Sequence, residues 1–138
     1  MKTELITAVN VAIINSKNQL LIAKRPEDKP MPNKWEFPGG KLEMNETLDQ
    51  CGIREIKEEL DVDIVLEEYL GFEELIHEGR EFCLHLYTAY KLDETQLEKA
   101  LEHTELQWVH VDELLDFDFP AFDLPFIEKL KNSIMPLN

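Results

Sequence analysis

Cysteine is scarce in this chain. Only Cys51 and Cys83 occur among 138 residues, at a spacing that fits neither a disulfide framework nor a thiolate metal site. Basic residues are few as well. Fourteen Lys and Arg against 29 Asp and Glu leave a net charge of −15, which argues against binding nucleic acid through its phosphates, since that needs a basic surface. No stretch approaches the roughly 18–20 apolar residues of a membrane span. The apolar run near the N-terminus is interrupted at Thr7 and Asn10, so the stretch that begins Met1-Lys2-Thr3-Glu4 lacks the core of a signal peptide. A cytoplasmic location is expected. Repeats, low-complexity tracts and linkers are also missing, and residues 1–138 are expected to form a single domain. A composition of 43% hydrophobic and 31% charged residues suits a folded core. The acidic balance leaves room for a small anionic ligand, because a bound divalent cation inverts the local field.

Leu5–Ile14 is rich in Val and Ile and reads as a strand buried on both faces. The turn cluster Asn15-Ser16-Lys17-Asn18 leads to a second strand at Gln19–Lys24, predicting a hairpin. A proline-containing loop follows, then a short extended piece at Trp35–Phe37. Val62–Phe72 reads as extended. Phe82–Tyr90 alternates, with Phe82, Leu84, Leu86 and Tyr90 on one face and Cys83, His85, Tyr87 and Ala89 on the other. Residues 93–105 form either a short helix or a loop. Gln107–Val111 is a further strand, Asp112 caps a helical turn, and Leu124–Ile134 is a closing helix with Pro125 near its start. Strands interrupted by one helix and closed by another predict an α/β sandwich with a mixed sheet between helices.

The most informative stretch runs from Gly39 to Leu60. A glycine pair follows Trp35-Glu36-Phe37-Pro38, marking a turn. Thr47 with Gln50 three residues later forms a capping box, and Leu48–Leu60 reads as helix with Gly52, Ile53, Ile56 and Leu60 on its apolar side. Glu55, Glu58 and Glu59 share another arc, where like charges cost a helix a few tenths of a kcal/mol per pair. Lys57 points elsewhere, and Arg54 is expected to reach back along the helix rather than into the cluster. The cluster is either a solvated acidic face or a site for a hard divalent cation, which takes oxygen ligands.

Gly40, five residues, Glu46, seven residues, then Arg54-Glu55-Ile56-x-Glu58-Glu59 with Val62 beyond resembles the Nudix signature G-x5-E-x7-R-E-U-x-E-E-x-G-U, where U is apolar. Asp61 stands where that family has glycine. It falls just past the helix end, in a position that suits a left-handed residue, which Asp tolerates. The likeness extends to the MutT-like nucleoside triphosphate pyrophosphohydrolases through Ala23-Lys24-Arg25, Asn33–Lys41 and Phe119–Ile127. Asp123 in its Ala-x-Asp-x-Pro setting is similar to the CTP pyrophosphohydrolase branch.

The resemblance implies an α/β/α sandwich, the Nudix fold. It also implies Mg²⁺- or Mn²⁺-dependent hydrolysis of a nucleoside triphosphate to a monophosphate and pyrophosphate. Glu55, Glu58, Glu59, Glu102 and the Gly39 carbonyl are then the expected metal ligands, and Glu46 and Arg54 an ion pair holding the loop to the helix. Glu55 is the first candidate for general base and Glu102 the second. Arg25, Glu36, Phe37, Lys41, Arg80 and Asp123 fall at substrate-side positions. Phe37 either stacks on a base or belongs to the core. Asp123 either contacts the base or caps the last helix. When ionised it accepts a hydrogen bond from a cytosine amino group; when protonated it serves a purine carbonyl. The four histidines, His77, His85, His103 and His110, show no ligand spacing, and His85 is expected to be an interior residue. Trp108 is assigned to the core. The alternatives are a Nudix-fold nucleotide sensor without catalysis and an ADP-sugar or dinucleotide polyphosphate hydrolase.

Overall fold

The computed structural model describes residues 4–134; Met1–Thr3 of the N-terminal stretch and residues 135–138 lie outside it. Seven strands and two α-helices follow one another as β1 (Leu5–Ile13), β2 (Leu20–Lys24), β3 (Trp35–Glu36), β4 (Gly39–Lys41), α1 (Leu48–Leu60), β5 (Ile64–His77), β6 (Arg80–Lys91), β7 (Glu105–Val109) and α2 (Leu124–Ser133). Short 3-10 turns at Val111–Asp116 and Ala121–Asp123 precede α2. Residues 92–104 form a loop rather than a helix. The turn at Val111–Asp116 starts one residue before the expected Asp112 cap, with the His110 N–H donating to Glu113 Oε1 at 3.1 Å.

A mixed sheet in the order β4-β1-β6-β5 carries a parallel β1–β6 pair between antiparallel neighbours, and β3-β2-β7 forms a second, antiparallel sheet. The expected hairpin between the first two strands is therefore replaced by a parting of ways. Among the described residues they meet at one isolated bridge, Ile14–Leu20, because four turn residues let the chain leave one sheet and enter the other.

The period of two along the strands explains the layering. Val9, Val11 and Ile13 of β1, with Tyr87 and Ala89 of β6, pack on Cys51, Ile56 and Leu60 of α1. Ala12, Leu84 and Leu86, from the opposite faces, join Ile22, Trp35, Phe37 and Val109 against Phe126, Ile127 and Leu130 of α2. Helices thus lie on both sides of the sheets, as the pattern of elements predicted. The alternation expected over Phe82–Tyr90 is realised. Trp108 packs at the margin of the α1 cluster, half-buried. His85 is half-buried, with its Nδ1 2.8 Å from the Tyr69 hydroxyl.

Helix α1 has the predicted ends. The Thr47 side chain accepts from the Gln50 N–H at 3.1 Å, and the Thr47 N–H donates to Gln50 Oε1 at 3.0 Å. Asp61 closes it in the left-handed conformation, φ 56° and ψ 39°, held by Lys57 and Lys99. Its buried face differs from expectation. Ile53 is 41% exposed, whereas Glu59 is buried with Cys51, Gly52, Ile56 and Leu60. Positions 52, 56, 59 and 60 share one side at 100° per residue, and Ile53 stands at its edge, about 20° beyond Leu60. One of the three glutamates is therefore carried into the protein rather than out to solvent.

Candidate active site

Gly39 and Gly40 form β4 at the edge of the mixed sheet, paired with Asn10 and Val9. A Cβ on Gly39 would overlap the Val9 carbonyl oxygen, and one on Gly40 would overlap the Glu55 carboxyl. The glycine pair thus lets the strand approach β1 and leaves space in which the Glu55 carboxylate rests. Gly40→Ala is expected to displace that carboxylate with little change in melting temperature, because the far end of a flexible side chain can move aside. A displacement of about 1 Å at a reacting group can cost on the order of 10²-fold in turnover. Single-turnover kinetics beside a melting curve would separate the two effects.

Arg54 organises the acidic residues. Its Nε and Nη2 bind the two oxygens of Glu46 at 2.5 and 2.9 Å, its Nη2 also donates to the Lys41 carbonyl at 3.1 Å, and its Nη1 reaches Glu55 Oε1 at 2.8 Å and Glu58 Oε2 at 3.1 Å. The guanidinium therefore runs into the carboxylate cluster, contrary to the expectation that it reaches away. The reason is geometric: Glu58 lies one turn on, and the planar fork has donors to spare after pairing with Glu46. Its hydrogen bonds hold the Glu46 carboxyl down at about 2. The Glu46–Arg54 pair joins the loop to the helix.

Glu59 has a different setting. Its side chain is 4% exposed. Burial, reinforced by the charge of Glu36 and by Glu55 and Glu102, pushes its pKa up to about 10. Its Oε2 is buried without a hydrogen-bond partner. Oxygens of Glu36 and Glu59 and a ring nitrogen of His103 lie within 4.8 Å of one another. A buried carboxylate oxygen with no donor, in an oxygen-rich cluster, fits a divalent cation: a cation would supply the missing partner and stabilise the ionised form. Glu58 is exposed on the solvent side of α1, and Glu102 is exposed on the loop before β7.

Beside this cluster lies a cavity of about 350 Å³, bordered by Glu36, the Gly39–Gly40 turn, Arg25, Lys41, Arg80 and Asp123. Five of the six predicted substrate-side residues thus meet in one place. The exception is Phe37, which is 1% exposed and packs on Phe119 with ring centroids 5.3 Å apart; its place is the core. Arg25 donates to Glu36 Oε1 at 2.8 Å, which fixes both at the cavity floor. Asp123 is 5% exposed and makes no capping hydrogen bond to α2, so the cap reading fails. Burial and the nearby charge of Glu36, partly offset by Arg25, raise its pKa to about 7.

Sequence reasoning missed three contributors. His77 and Phe122 border the cavity from the end of β5 and the 3-10 turn before α2, with ring centroids 6.1 Å apart. Neither position carries a local signal. His103 is the third, and it joins the carboxylates across 67 residues of sequence from Glu36. Its one hint was adjacency to Glu102.

Residues 4–130 match the NUDIX domain family model. The chain is 32% identical over 120 residues to the CTP pyrophosphohydrolase of Escherichia coli (strain K12), covering 87% of each. It is 36% identical over 126 residues to the 8-oxo-dGTP diphosphatase of the same organism, covering 89% of this chain and 95% of that one. The crystal structure of a MutT protein from Methanosarcina mazei Go1 superposes with a TM-score of 0.83 at 25% identity, over 96% of this chain and 97% of that one. The chain belongs to the Nudix family, and with it to the hydrolases that act on phosphoanhydride bonds. No helix among the described residues is long and apolar enough to cross a membrane.

Proposed function

We propose that this chain hydrolyses nucleoside triphosphates to the monophosphate and pyrophosphate, with CTP-like pyrimidine or 8-oxo-dGTP-like substrates, as a cytoplasmic house-cleaning enzyme. The observation that carries the reading is the placement of cations. In a chain of net charge −15, Arg25, Lys41 and Arg80 all border one cavity, and the glycine turn beside the carboxylate cluster forms its edge. A polyphosphate ligand explains both signs of charge side by side. The cavity's volume lies within the usual range for small-ligand sites, roughly 300–1,000 Å³.

Glu55, Glu58 and Glu59 with the Gly39 carbonyl would hold Mg²⁺ or Mn²⁺, and Glu102 stands close enough to add its charge. When bound, the metal neutralises phosphate charge and acidifies the attacking water. The chain's own groups do the rest. Arg25, Lys41 and Arg80 bind and orient the polyphosphate, which brings phosphorus and water into line. Glu55, seated between Arg54 and the Gly40 turn, accepts the water proton as an oxygen–phosphorus bond forms. The bridging bond to the pyrophosphate breaks and its electron pair leaves with that group. Glu102, exposed on its loop, is the second candidate for the base. Asp123 reads the base from within the cavity.

A panel of CTP, dCTP, 5-methyl-dCTP, 8-oxo-dGTP, dATP and ADP-ribose, compared by kcat/KM, tests the reading. One of the cytosine or oxidised guanine nucleotides is expected to lead, with pyrophosphate as product. Leadership by ADP-ribose, or tight metal-independent binding without turnover of any member, would refute it.

A further inference from the structure

His103 takes no part in binding the polyphosphate or moving the proton, yet its environment is unusual for an interior histidine. The loop that carries it is fastened on either side, by Leu101 N–H to the Glu59 carbonyl at 3.1 Å and Thr104 N–H to the Lys24 carbonyl at 3.0 Å. Between these anchors the imidazole is driven inward, its side chain 4% exposed. Nε2 lies 2.7 Å from Glu36 Oε2 and 3.7 Å from Glu59 Oε1. The other oxygen of Glu36 receives Arg25. An unbroken line of side chains therefore runs from the cavity floor (Arg25, Glu36) through His103 to the buried metal-site carboxylate Glu59. At its far end, Glu59 Oε2 and His103 Nδ1 are both buried without partners.

We propose that His103 is a positioning residue joining the substrate side of the site to the metal side, an inference that rests on the metal-dependent reading of the site. Its Nε2–H donates to Glu36, leaving Glu36 able to hold Arg25. From 3.7 Å the same edge of the ring fixes the rotamer of Glu59, whose second oxygen is left free for a cation. Glu36 Oε2, the group within hydrogen-bond distance of Nε2, serves as acceptor while its other oxygen receives Arg25, so the hydrogen is assigned to Nε2 by the network. A histidine serving the core alone would have both nitrogens matched or an apolar setting. Here one nitrogen serves a carboxylate pair, and the other is left unmatched at a cost to the fold. His103 is assigned as a support and not a ligand because its Nε2 is already within hydrogen-bond distance of Glu36. Mg²⁺, moreover, is a hard ion that prefers oxygen.

The test uses the full chain, with Mn²⁺ alone as the probe. H103Q keeps a donor near the Nε2 position, and H103M fills the space without one. Loss of an outer partner of this kind weakens metal affinity by roughly 10- to 100-fold. H103M is therefore expected to show that loss by calorimetry in the absence of nucleotide, and H103Q to recover most of it. In turnover, high metal should restore kcat in H103M, while the KM for nucleotide stays raised because Glu36 and Arg25 have lost their support. A merely structural role would lower the active fraction and would not respond to metal. E36Q, which cuts the same link from the other side, should reproduce the Mn²⁺ defect if H103M is too unstable to assay. Mn²⁺ affinity in H103M equal to wild type would overturn the proposal. So would a nitrogen coupling in the Mn²⁺ electron spin echo spectrum that disappears in H103Q, because it would make the histidine a ligand. Wild-type protein that binds Mn²⁺ with these differences but turns over no nucleotide would leave His103 as assigned and remove the substrate reading instead.

Discussion

Glu59→Gln is expected to lose about 10³-fold in kcat, taking about 4 kcal/mol for the metal's stabilisation of charge in the transition state. The same substitution is expected to raise the melting temperature of the metal-free protein. The two effects have one cause. Folding carries Glu59 into a setting that lifts its pKa from 4.5 to about 10, so the folded state holds its proton more tightly than the unfolded chain. Stability from this group is complete below about pH 4.5 and is lost as pH rises toward 10. Near pH 7.5 the unfolded glutamate is ionised and the folded one is not, a difference of up to about 4 kcal/mol. Gln keeps the shape and never titrates. Without metal at that pH, E59Q should melt higher than wild type by roughly 10 °C, and the gap should close below about pH 4.5. Adding Mg²⁺ should then raise wild type and leave E59Q nearly unmoved, because only an ionised carboxylate gains from the cation. Differential scanning calorimetry across pH, with and without metal, would reveal the crossover. Equal metal-free melting temperatures at pH 7.5 would mean that Glu59 is not held neutral. Full turnover in E59Q would strip it of the metal role.

What the sequence could show depended on how local the cause was. The ends of α1 were legible because a capping box and a left-handed Asp61 are set by a few neighbouring residues. The layering was legible because strand alternation names the buried faces. The glutamate cluster was legible from spacing, but the fates of its members were not. Glu59 turns inward and Glu58 outward although they are adjacent, because Val9 and Val11 of β1 and Leu66 of β5 crowd the helix at Gly52 and set which side of it is covered. Arg54 was misjudged for a similar reason. Its preference for Glu46 was visible, but not the three further acceptors that the Gly39–Lys41 strand and the next helical turn bring within reach. The hairpin between β1 and β2 failed because two adjacent strands with a short turn look alike whether they pair or part into separate sheets. His103 was beyond reach because its meaning comes from Glu36, delivered by β3, a strand 67 residues away in sequence.

Asp123→Asn is expected to change the order of substrates and to stabilise the protein above neutrality. Asp123 is held at about 7 against an ordinary 3.8, chiefly by burial. Its folded form therefore keeps the proton that the unfolded chain gives up, and its contribution to stability falls as pH rises from about 3.8 to 7. Above that range the deficit is about 4 kcal/mol at most, from roughly three units at 1.4 kcal/mol each. An Asn in its place avoids that loss, so the variant should gain on wild type between about pH 4 and 7 and keep a constant lead beyond. Selectivity follows from the same titration. Below about pH 7 the protonated carboxyl donates and suits a purine carbonyl; above it the carboxylate only accepts and suits a cytosine amino group. Wild type should thus shift toward CTP-like substrates as pH rises, relative to 8-oxo-dGTP. The Asn variant, which offers donor and acceptor at every pH, should show a ratio that does not move. The ratio of kcat/KM for the two nucleotides between pH 6 and 8.5 decides the matter. A wild-type ratio that stays flat while D123N gains stability as described would leave Asp123 a buried acid at the cavity wall and place base recognition on other residues, with Arg80 and His77 the next to test.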